Sequence, residues 1–199
     1  MPAQTKRPGG RSARVRQAVV AAFIDELVER GYSTLSFESV AARAGVHKTT
    51  LYRRWGSREN LLLDVALHTA AEAVPVPDTG TLVTDLAALA AAVARNLRSK
   101  PAEAMLRAVV SEALVHPEIA TAARRFWDAR FQAAKEIVRR AVARGEVETN
   151  VNADLLIESL IGPLYLRVLV TQEPLNDAFV EELSTLVASA AASRTAPAG

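Results

Sequence analysis

The amino-acid sequence predicts an all-α protein of nine helices, and three observations lead to this class. The 199-residue chain contains 38 alanines but only nine glycines, a balance that favours helix. Apolar residues recur at three- and four-residue intervals, and no stretch shows the strict alternation of a half-buried strand. Capping residues, glycines and prolines divide the chain into segments of helical length.

The first part of the chain is interpreted as a flexible arm followed by four helices. Residues 1–11 contain two prolines and two glycines and no apolar period. Ser12 is expected to cap the first helix, which Gly31 ends. Ser36 and Ser57 are expected to cap the second and the fourth. The second, third and fourth helices are predicted over residues 37–44, 47–55 and 57–74.

Five further helices are predicted beyond residues 75–80, where two prolines and a glycine exclude a helix. Pro117 is a typical first residue for a long helix that Gly145 ends. Asn152 and Asn176 are expected to cap the last two helices. The predicted bounds are about 82–98, 102–115, 117–144, 152–172 and 176–192.

Composition narrows the functional classes. Half of the residues are apolar and 23% are charged, as in an ordinary folded protein. The absence of cysteine excludes disulfides, thiolate catalysis and cysteine-based zinc sites. No apolar stretch is long enough to span a bilayer, and no apolar core follows the basic N-terminus. We therefore expect a cytoplasmic protein without a membrane segment or signal peptide.

The formal net charge of +2 is unevenly distributed. Residues 1–60 carry 11 Lys and Arg against five Asp and Glu, whereas residues 61–199 carry 13 against 17. A basic module joined to a mildly acidic body indicates a polyanionic partner for the first module. A solvated basic tail explains the same charge, so the charge by itself does not decide between the two.

Residues 37–55, FESVAARAGVHKTTLYRRW, have the spacing of a helix-turn-helix. Ala41 is small where the two helices approach most closely, and Gly45 supplies the positive φ that the turn needs. Apolar residues recur at the intervals that fill the corner between the helices. They are Val40, Ala44, Val46, Leu51 and Trp55.

The opposite face of the second of these helices carries donors and cations. A helix fits the major groove of double-stranded DNA, where such side chains reach phosphates and base edges. The N-terminus of the next helix, beside Arg58, offers a second anion site. The alternative is a plain αα-hairpin with a solvated face, but such faces usually mix the two signs of charge. The residues on this face are His47, Lys48, Thr49, Tyr52 and Arg53, with Thr50 and Arg54 at its borders.

The stretch from Gly31-Tyr32 through AARAGVHKTTLYRRWGSRENLL resembles the DNA-binding domain of the tetracycline-repressor (TetR) family of transcriptional regulators. The resemblance covers about residues 12–70. The later segment SLIGPLYLRVLVTQEPLNDAF resembles a C-terminal subtype common among actinobacterial members. This resemblance implies a homodimer that binds a palindromic operator, usually represses transcription and is released by a small ligand.

By position, the resemblance places Lys48, Thr49, Thr50, Tyr52 and Arg53 on the recognition helix. It implies that Thr34 and Arg58 contact the DNA backbone. Where many members have Ser or Thr to cap the recognition helix, this chain has His47, which could accept from the helix N-terminus or contact DNA directly. The predicted division is an arm over residues 1–11, a helix-turn-helix DNA-binding domain over 12–57 and an effector-binding and dimerisation domain over 58–199.

The body is predicted to enclose a largely apolar effector cavity among the helices of residues 82–172. Trp127 and Tyr165 carry polar tips that need partners when they are buried. Glu112 and His116, four residues apart, form either a polar corner of this cavity or a pair at a helix end. For any single bulky candidate, ordinary core is the favoured interpretation. The predicted effector-binding residues are Met105, Val109, Trp127, Phe131 and Tyr165.

The last two helices are apolar on more than one face, so a second copy is expected to cover the remainder as a four-helix bundle. Pro163, which follows Gly162, cannot donate to the carbonyl of Ser159, so a kink or loosening is expected there, either to shape the cavity or to aid packing. The predicted dimerisation residues are Leu160, Leu164, Val168, Phe179, Leu183, Leu186 and Val187.

Two other functional classes are weighed against a DNA-binding regulator. An enzyme is not favoured, because His47, His68 and His116 lack metal-ligand spacing and the sequence has no phosphate loop or triad pattern. We accordingly expect no metal and no cofactor. A helical protein–protein adaptor without sequence-specific DNA binding is the remaining alternative, and it would leave the cationic face of residues 47–55 unexplained.

Overall fold

The computed structural model describes residues 10–192, apart from the side chains of residues 11, 70–73 and 192. Within that range the chain forms nine α-helices and no strand, which confirms the all-α prediction. A 3₁₀ turn over Tyr32–Thr34 joins the first two helices. The helices are α1 Gly10–Arg30, α2 Phe37–Ala44, α3 Lys48–Trp55, α4 Arg58–Ala73, α5 Leu82–Leu97, α6 Lys100–Ala113, α7 Pro117–Ala143, α8 Ala153–Leu166 and α9 Asp177–Ala192. None of the helices among the described residues combines the length and the apolar character that crossing a membrane requires.

The start of α1 differs from the prediction. The helix begins at Gly10, so Ser12 lies inside it and does not cap it. The backbone carbonyl and side-chain hydroxyl oxygens of Ser12 instead accept hydrogen bonds from Arg54 at 3.3 and 3.2 Å. The first N–H groups of a helix have no partner within it, so a serine near the start does not by itself fix where the helix begins. The rest of the expected arm, residues 1–9, lies outside the described residues.

Four of the predicted caps are confirmed. The side chains of Ser36, Ser57, Asn152 and Asn176 each accept a hydrogen bond from the backbone N–H three residues later. Sequence analysis missed Ser99, which caps α6 in the same way, so α6 begins at Lys100 rather than after Pro101. These local bonds satisfy N–H groups that a helix leaves free at its start.

The predicted helix over 152–172 changes its hydrogen-bond pattern near its end. It is α-helical from Ala153 to Leu166, with Pro163 inside it, and then forms a π-helical turn over Arg167–Thr171. The expected loosening therefore follows the proline by one turn. Gln172 ends the segment in the left-handed conformation, with a φ of 55°.

Two clusters of buried apolar side chains make up the interior. The first packs α1, α2 and α3 against the first half of α4, and it also includes Met105 and Ala108 from α6. The second packs α5, α7, α8 and α9 together. The first cluster thus extends past residue 57, and α4 and α6 connect the helix-turn-helix to the body.

The structure corrects the expected dimer face. Most of the residues predicted for it are buried inside the chain, because α8 and α9 are apolar on several faces and only packing decides which face turns inward. Phe179 is partly buried beneath Arg167, whose guanidinium carbon lies 3.6 Å from the ring centroid. Of the seven predicted residues only Leu186 is largely exposed, at 68%. The five that lie in the second core are Leu160, Leu164, Val168, Leu183 and Val187.

Candidate nucleic-acid interface and candidate ligand cavity

The corner between α2 and α3 has the geometry that its sequence predicts. Gly45 adopts φ 64° and ψ 34°, the left-handed conformation, and the N–H of Val46 donates to the carbonyl of Ala41 at 3.0 Å. Leu51 is fully buried and Trp55 is 7% exposed, so one stripe of α3 packs into the first core. The opposite stripe of α3 therefore points away from the protein.

That outward stripe carries most of the predicted DNA-binding side chains. Tyr52 is half exposed, and its ring meets Phe37 edge to face at 4.8 Å. Arg53 makes no ion pair with the described part of the chain. Exposed together on this face are His47, Lys48, Thr49, Tyr52 and Arg53, whereas Thr50 is half-buried.

Lys48 has a partner that sequence analysis did not find. Its Nζ lies 2.9 Å from Glu38 Oε1, and both side chains are exposed. This hydrogen bond raises the pKa of Lys48 and lowers that of Glu38. A polyanion approaching α3 competes with Glu38 for the ammonium group.

Arg58, the first residue of α4, and Thr34, the last residue of the 3₁₀ turn, are not part of α3. The Arg58 guanidinium donates to the carbonyl oxygens of Tyr32 and Leu35, each at 3.2 Å, and lies 4.3 Å from the Tyr32 ring centroid. Arg58 therefore fixes the turn that precedes α2, and its predicted DNA contact remains a prediction. Thr34 is exposed, and its hydroxyl donates to the carbonyl of Arg30 at 2.8 Å.

Two ionic contacts that orient the helix-turn-helix were missed by sequence analysis. Arg43 of α2 pairs with Glu26 of α1 at 2.8 Å and also with Glu29. Asp64 of α4 accepts from the Trp55 indole at 2.9 Å and from Arg16 at 3.0 Å. The partners are separated by nine to 48 residues, and no sequence period indicates such pairs.

A third missed feature joins the helix-turn-helix to the body. A carboxylate oxygen of Glu59, a carboxylate oxygen of Glu112 and a ring nitrogen of His116 lie within 4.8 Å of one another. Glu112 and His116 are the predicted helix-end pair, at 3.4 Å, and they do not line the cavity. Tyr32 lies nearby, its hydroxyl buried without a hydrogen-bond partner, and burial raises its pKa against the opposing effect of Arg58.

The body encloses a cavity of about 240 Å³ bordered by α4, α5, α6, α7 and α8. All five residues predicted to bind an effector line it, with Met105 also contributing to the first core. Trp127 meets Phe126 at 5.1 Å and Tyr165 at 5.2 Å, both edge to face, which builds an aromatic wall. An apolar cavity with a few polar groups is the usual form of a small-molecule site.

Some polar groups of the cavity have hydrogen-bond partners within the described residues and others do not. Arg130 donates to the carbonyl of Val74, the residue that ends α4. Within the described residues, neither the Trp127 indole N–H nor the Tyr165 hydroxyl has a hydrogen-bond partner. Burial raises the pKa of Tyr165 to about 12, although nearby Arg130 opposes the rise. The hydroxyl is thus protonated at neutral pH and available as a donor.

Known proteins share both halves of the chain. Residues 20–65 match the family model described as bacterial regulatory proteins, tetR family, and residues 76–187 match the one described as tetracyclin repressor-like, C-terminal domain. YdeS of Bacillus subtilis (strain 168), an HTH-type transcriptional regulator, is 30% identical over 181 residues, 90% of this chain and 91% of YdeS. The DNA-binding transcriptional repressor TetR of Mycobacteroides abscessus is 33% identical over 171 residues, 83% of this chain and 87% of that protein. The crystal structure of the TetR family transcription regulator SCO0332 is 34% identical, with a TM-score of 0.70, and the match covers 88% of this chain and 97% of that one.

Proposed function

The chain belongs to the TetR family of helix-turn-helix, DNA-binding transcriptional regulators, and we propose that it is a homodimeric repressor released from its operator by a small, largely apolar ligand. The observation that carries this proposal is the course of α4. Leu61, Leu62 and Val65 of α4 pack in the core of the helix-turn-helix. Other residues of the same helix line the cavity, namely Leu63, Ala66, Leu67 and Thr69. One helix therefore contacts both the core of the helix-turn-helix and the cavity.

The outward stripe of α3 supplies the proposed DNA contacts. Lys48 and Arg53 are placed to neutralise phosphates, while Thr49, Thr50 and Tyr52 offer hydroxyl groups to phosphates or base edges. His47 precedes the helix and makes no capping hydrogen bond with its side chain, which leaves the imidazole for DNA. Thr34 and Arg58 contribute at the edge of this surface.

Ligand release follows from the same geometry. A ligand that prefers one arrangement of α4 in the cavity shifts the helix-turn-helix between a DNA-binding and a non-binding placement. Coupling through one helix is reciprocal, so operator DNA weakens ligand binding by the same factor. Repression is supported by the name of the relative from Mycobacteroides abscessus.

The proposed dimer places a second copy on the exposed apolar residues of α8, its following turn and α9. These are Leu155, Leu166, Val170 and Leu186, each at least half exposed. Recognition of a palindromic operator requires two α3 helices about 34–36 Å apart, and a dimer is needed to supply both. Leu186→Glu is expected to convert the dimer to monomer in light scattering, whereas Val83→Glu, at an apolar position of α5 that is 56% exposed, leaves it dimeric. A monomeric wild-type chain would contradict this part.

The decisive experiment is selection of genomic fragments bound by the full chain, followed by anisotropy titration of the recovered duplex. Arg53→Ala is expected to weaken binding at least tenfold, and Arg95→Ala, an exposed arginine of α5, to leave it within twofold. A chain that retains no specific duplex would instead support the adaptor hypothesis. Transcription in vitro from the selected promoter should fall on addition of the protein, and a rise would exclude repression.

The relatives are named as transcriptional regulators, which points to a role other than catalysis. We therefore propose a non-enzymatic regulator that acts in the cytoplasm, where its DNA target lies. Saturable turnover of a cavity ligand by the purified chain would contradict the first statement.

A further inference from the structure

We infer that the cavity takes an apolar effector bearing one anionic oxygen group, such as a carboxylate, and that Arg130 is the residue that binds this group. This inference rests on the proposed function, because it names the class of ligand for the same cavity. It goes further by assigning a charge to the ligand and a residue to its recognition.

The charge balance of the lining is the first argument. Among the described side chains that line the cavity, Arg130 is the only charged one. Arg130 makes no ion pair within the described part of the chain. A cationic group beside apolar walls without a counter-ion is costly, and an anion supplied by a ligand offsets that cost.

The hydrogen-bond balance is the second argument. The free polar atoms on the aromatic wall are the Trp127 indole N–H and the Tyr165 hydroxyl, and the first is a donor only. Together with the guanidinium, they present donors to whatever fills the cavity. A ligand oxygen satisfies these donors, whereas an ammonium group meets the like charge of Arg130 and, among the described side chains of the lining, no carboxylate.

The position of Arg130 also connects the ligand to α4. Its guanidinium holds the carbonyl of Val74, immediately after the last helical turn of α4. Val74 and Val76 line the cavity beside it. An anionic oxygen is a stronger acceptor than a peptide carbonyl, so a bound anion draws Arg130 away from Val74 and releases the end of α4.

Tryptophan fluorescence of the full chain tests the ligand class. The chain has two tryptophans, and Trp127→Phe serves as the signal control because Trp55 lies outside the cavity. Decanoate, 1-decanol and decylamine are titrated at pH 7, where they are anionic, neutral and cationic. We expect decanoate to bind at least tenfold more tightly than decanol, and decylamine more weakly than decanol. Water solvates both ions better than decanol, so hydrophobicity alone predicts that decanol binds most tightly of the three.

Variants of α7 test the residue. Arg130→Gln should reduce the preference for decanoate over decanol to less than threefold, and Arg130→Lys should retain most of it. Arg125→Gln, an exposed arginine of the same helix outside the cavity, should leave the preference unchanged. Equal binding of decanoate and decanol, no binding of any of the three, or an undiminished preference in Arg130→Gln would each overturn the inference.

Hydrogen exchange tests the connection to α4. Decanoate should accelerate amide exchange in residues 66–76, and Arg130→Gln should do so without ligand. Unchanged exchange in both would remove the proposed release of α4. Failure of decanoate to displace DNA, despite charge-selective binding, would refute the proposed release by ligand but not the assignment of Arg130. If decanol releases the protein from DNA as readily as decanoate does, the assignment of Arg130 is refuted, but the proposal of a ligand-released regulator stands.

Discussion

Replacement of Gly45 by alanine tests how the turn places the recognition helix. Gly45 has a φ of +64°, and a Cβ built on it meets no atom within 4 Å. Steric crowding therefore adds nothing to the free-energy cost of Gly45→Ala. The whole cost is that of holding a non-glycine residue in the left-handed backbone conformation, about 1–2 kcal/mol. In a chain of this size each kcal/mol lowers the Tm by about 2–4 °C.

Gly145→Ala is the matched control for DNA binding. Gly145 follows α7, has a φ of +75° and is equally open around its Cβ, so its replacement should cost a similar free energy of unfolding. Only Gly45→Ala also shifts α3 relative to α2, and it should weaken DNA binding several-fold at 25 °C. Gly45→Asn should recover part of the stability, because asparagine tolerates this conformation better than alanine does.

Thermal unfolding at fixed protein concentration and anisotropy titration with the selected duplex measure the two effects. An unchanged Tm in Gly45→Ala would refute the argument from backbone conformation. Equal loss of DNA affinity in Gly45→Ala and Gly145→Ala would show that stability, and not the placement of α3, controls binding.

Three further predictions concern the helix-turn-helix. Lys48→Ala should weaken binding to all duplexes alike and reduce the slope of log affinity against log salt concentration by about one. Titration of DNA at several salt concentrations measures this slope. A changed preference between duplexes would contradict a phosphate contact. Burial alone would raise the pKa of Asp64, but hydrogen bonds from Arg16 and Trp55 outweigh it and lower that pKa. Asp64→Asn should therefore lower the free energy of unfolding by about 1 kcal/mol near neutral pH, a figure discounted for partial exposure. The difference in stability between Asp64→Asn and the wild type should disappear as pH falls through the Asp64 pKa. A loss of stability that persists in acid would contradict this role of the carboxylate. Tyr32→Phe removes a buried hydroxyl without a hydrogen-bond partner, so urea unfolding should show a change within about 0.5 kcal/mol or a gain in stability; a large loss would reveal a partner for that hydroxyl.

The helices and the recognition surface could be predicted because short-range chemistry determines them. Ser36, Ser57, Asn152 and Asn176 cap helices through bonds that span three residues. Gly45 turns the chain by its own backbone preference, and the four-residue spacing of Leu51 and Trp55 decides which side of α3 faces outward. The start of α1 was not predicted, because Ser12 is a typical cap by residue type but lies within the helix.

The cavity was predicted in part. The five bulky residues on α6, α7 and α8 were identified by size and polarity, and the structure brings all of them to one cavity. The contributions of α4 and of Arg130 could not be predicted, because an arginine on a long helix is ordinarily solvated. Five of the seven residues predicted for the dimer face lie in the core instead, and the sequence could not separate the two roles because both helices are apolar on more than one side.

The sequence by itself determined the all-α class, the helix ends that carry caps and the cationic stripe of α3, all of which depend on residues within one or two helical turns. Tertiary structure alone decided that Arg58 binds the turn before α2 and that Arg130 holds the end of α4. The partners in these contacts lie 23 to 56 residues apart. Such contacts form only where packing brings distant segments together, and no local pattern encodes that distance.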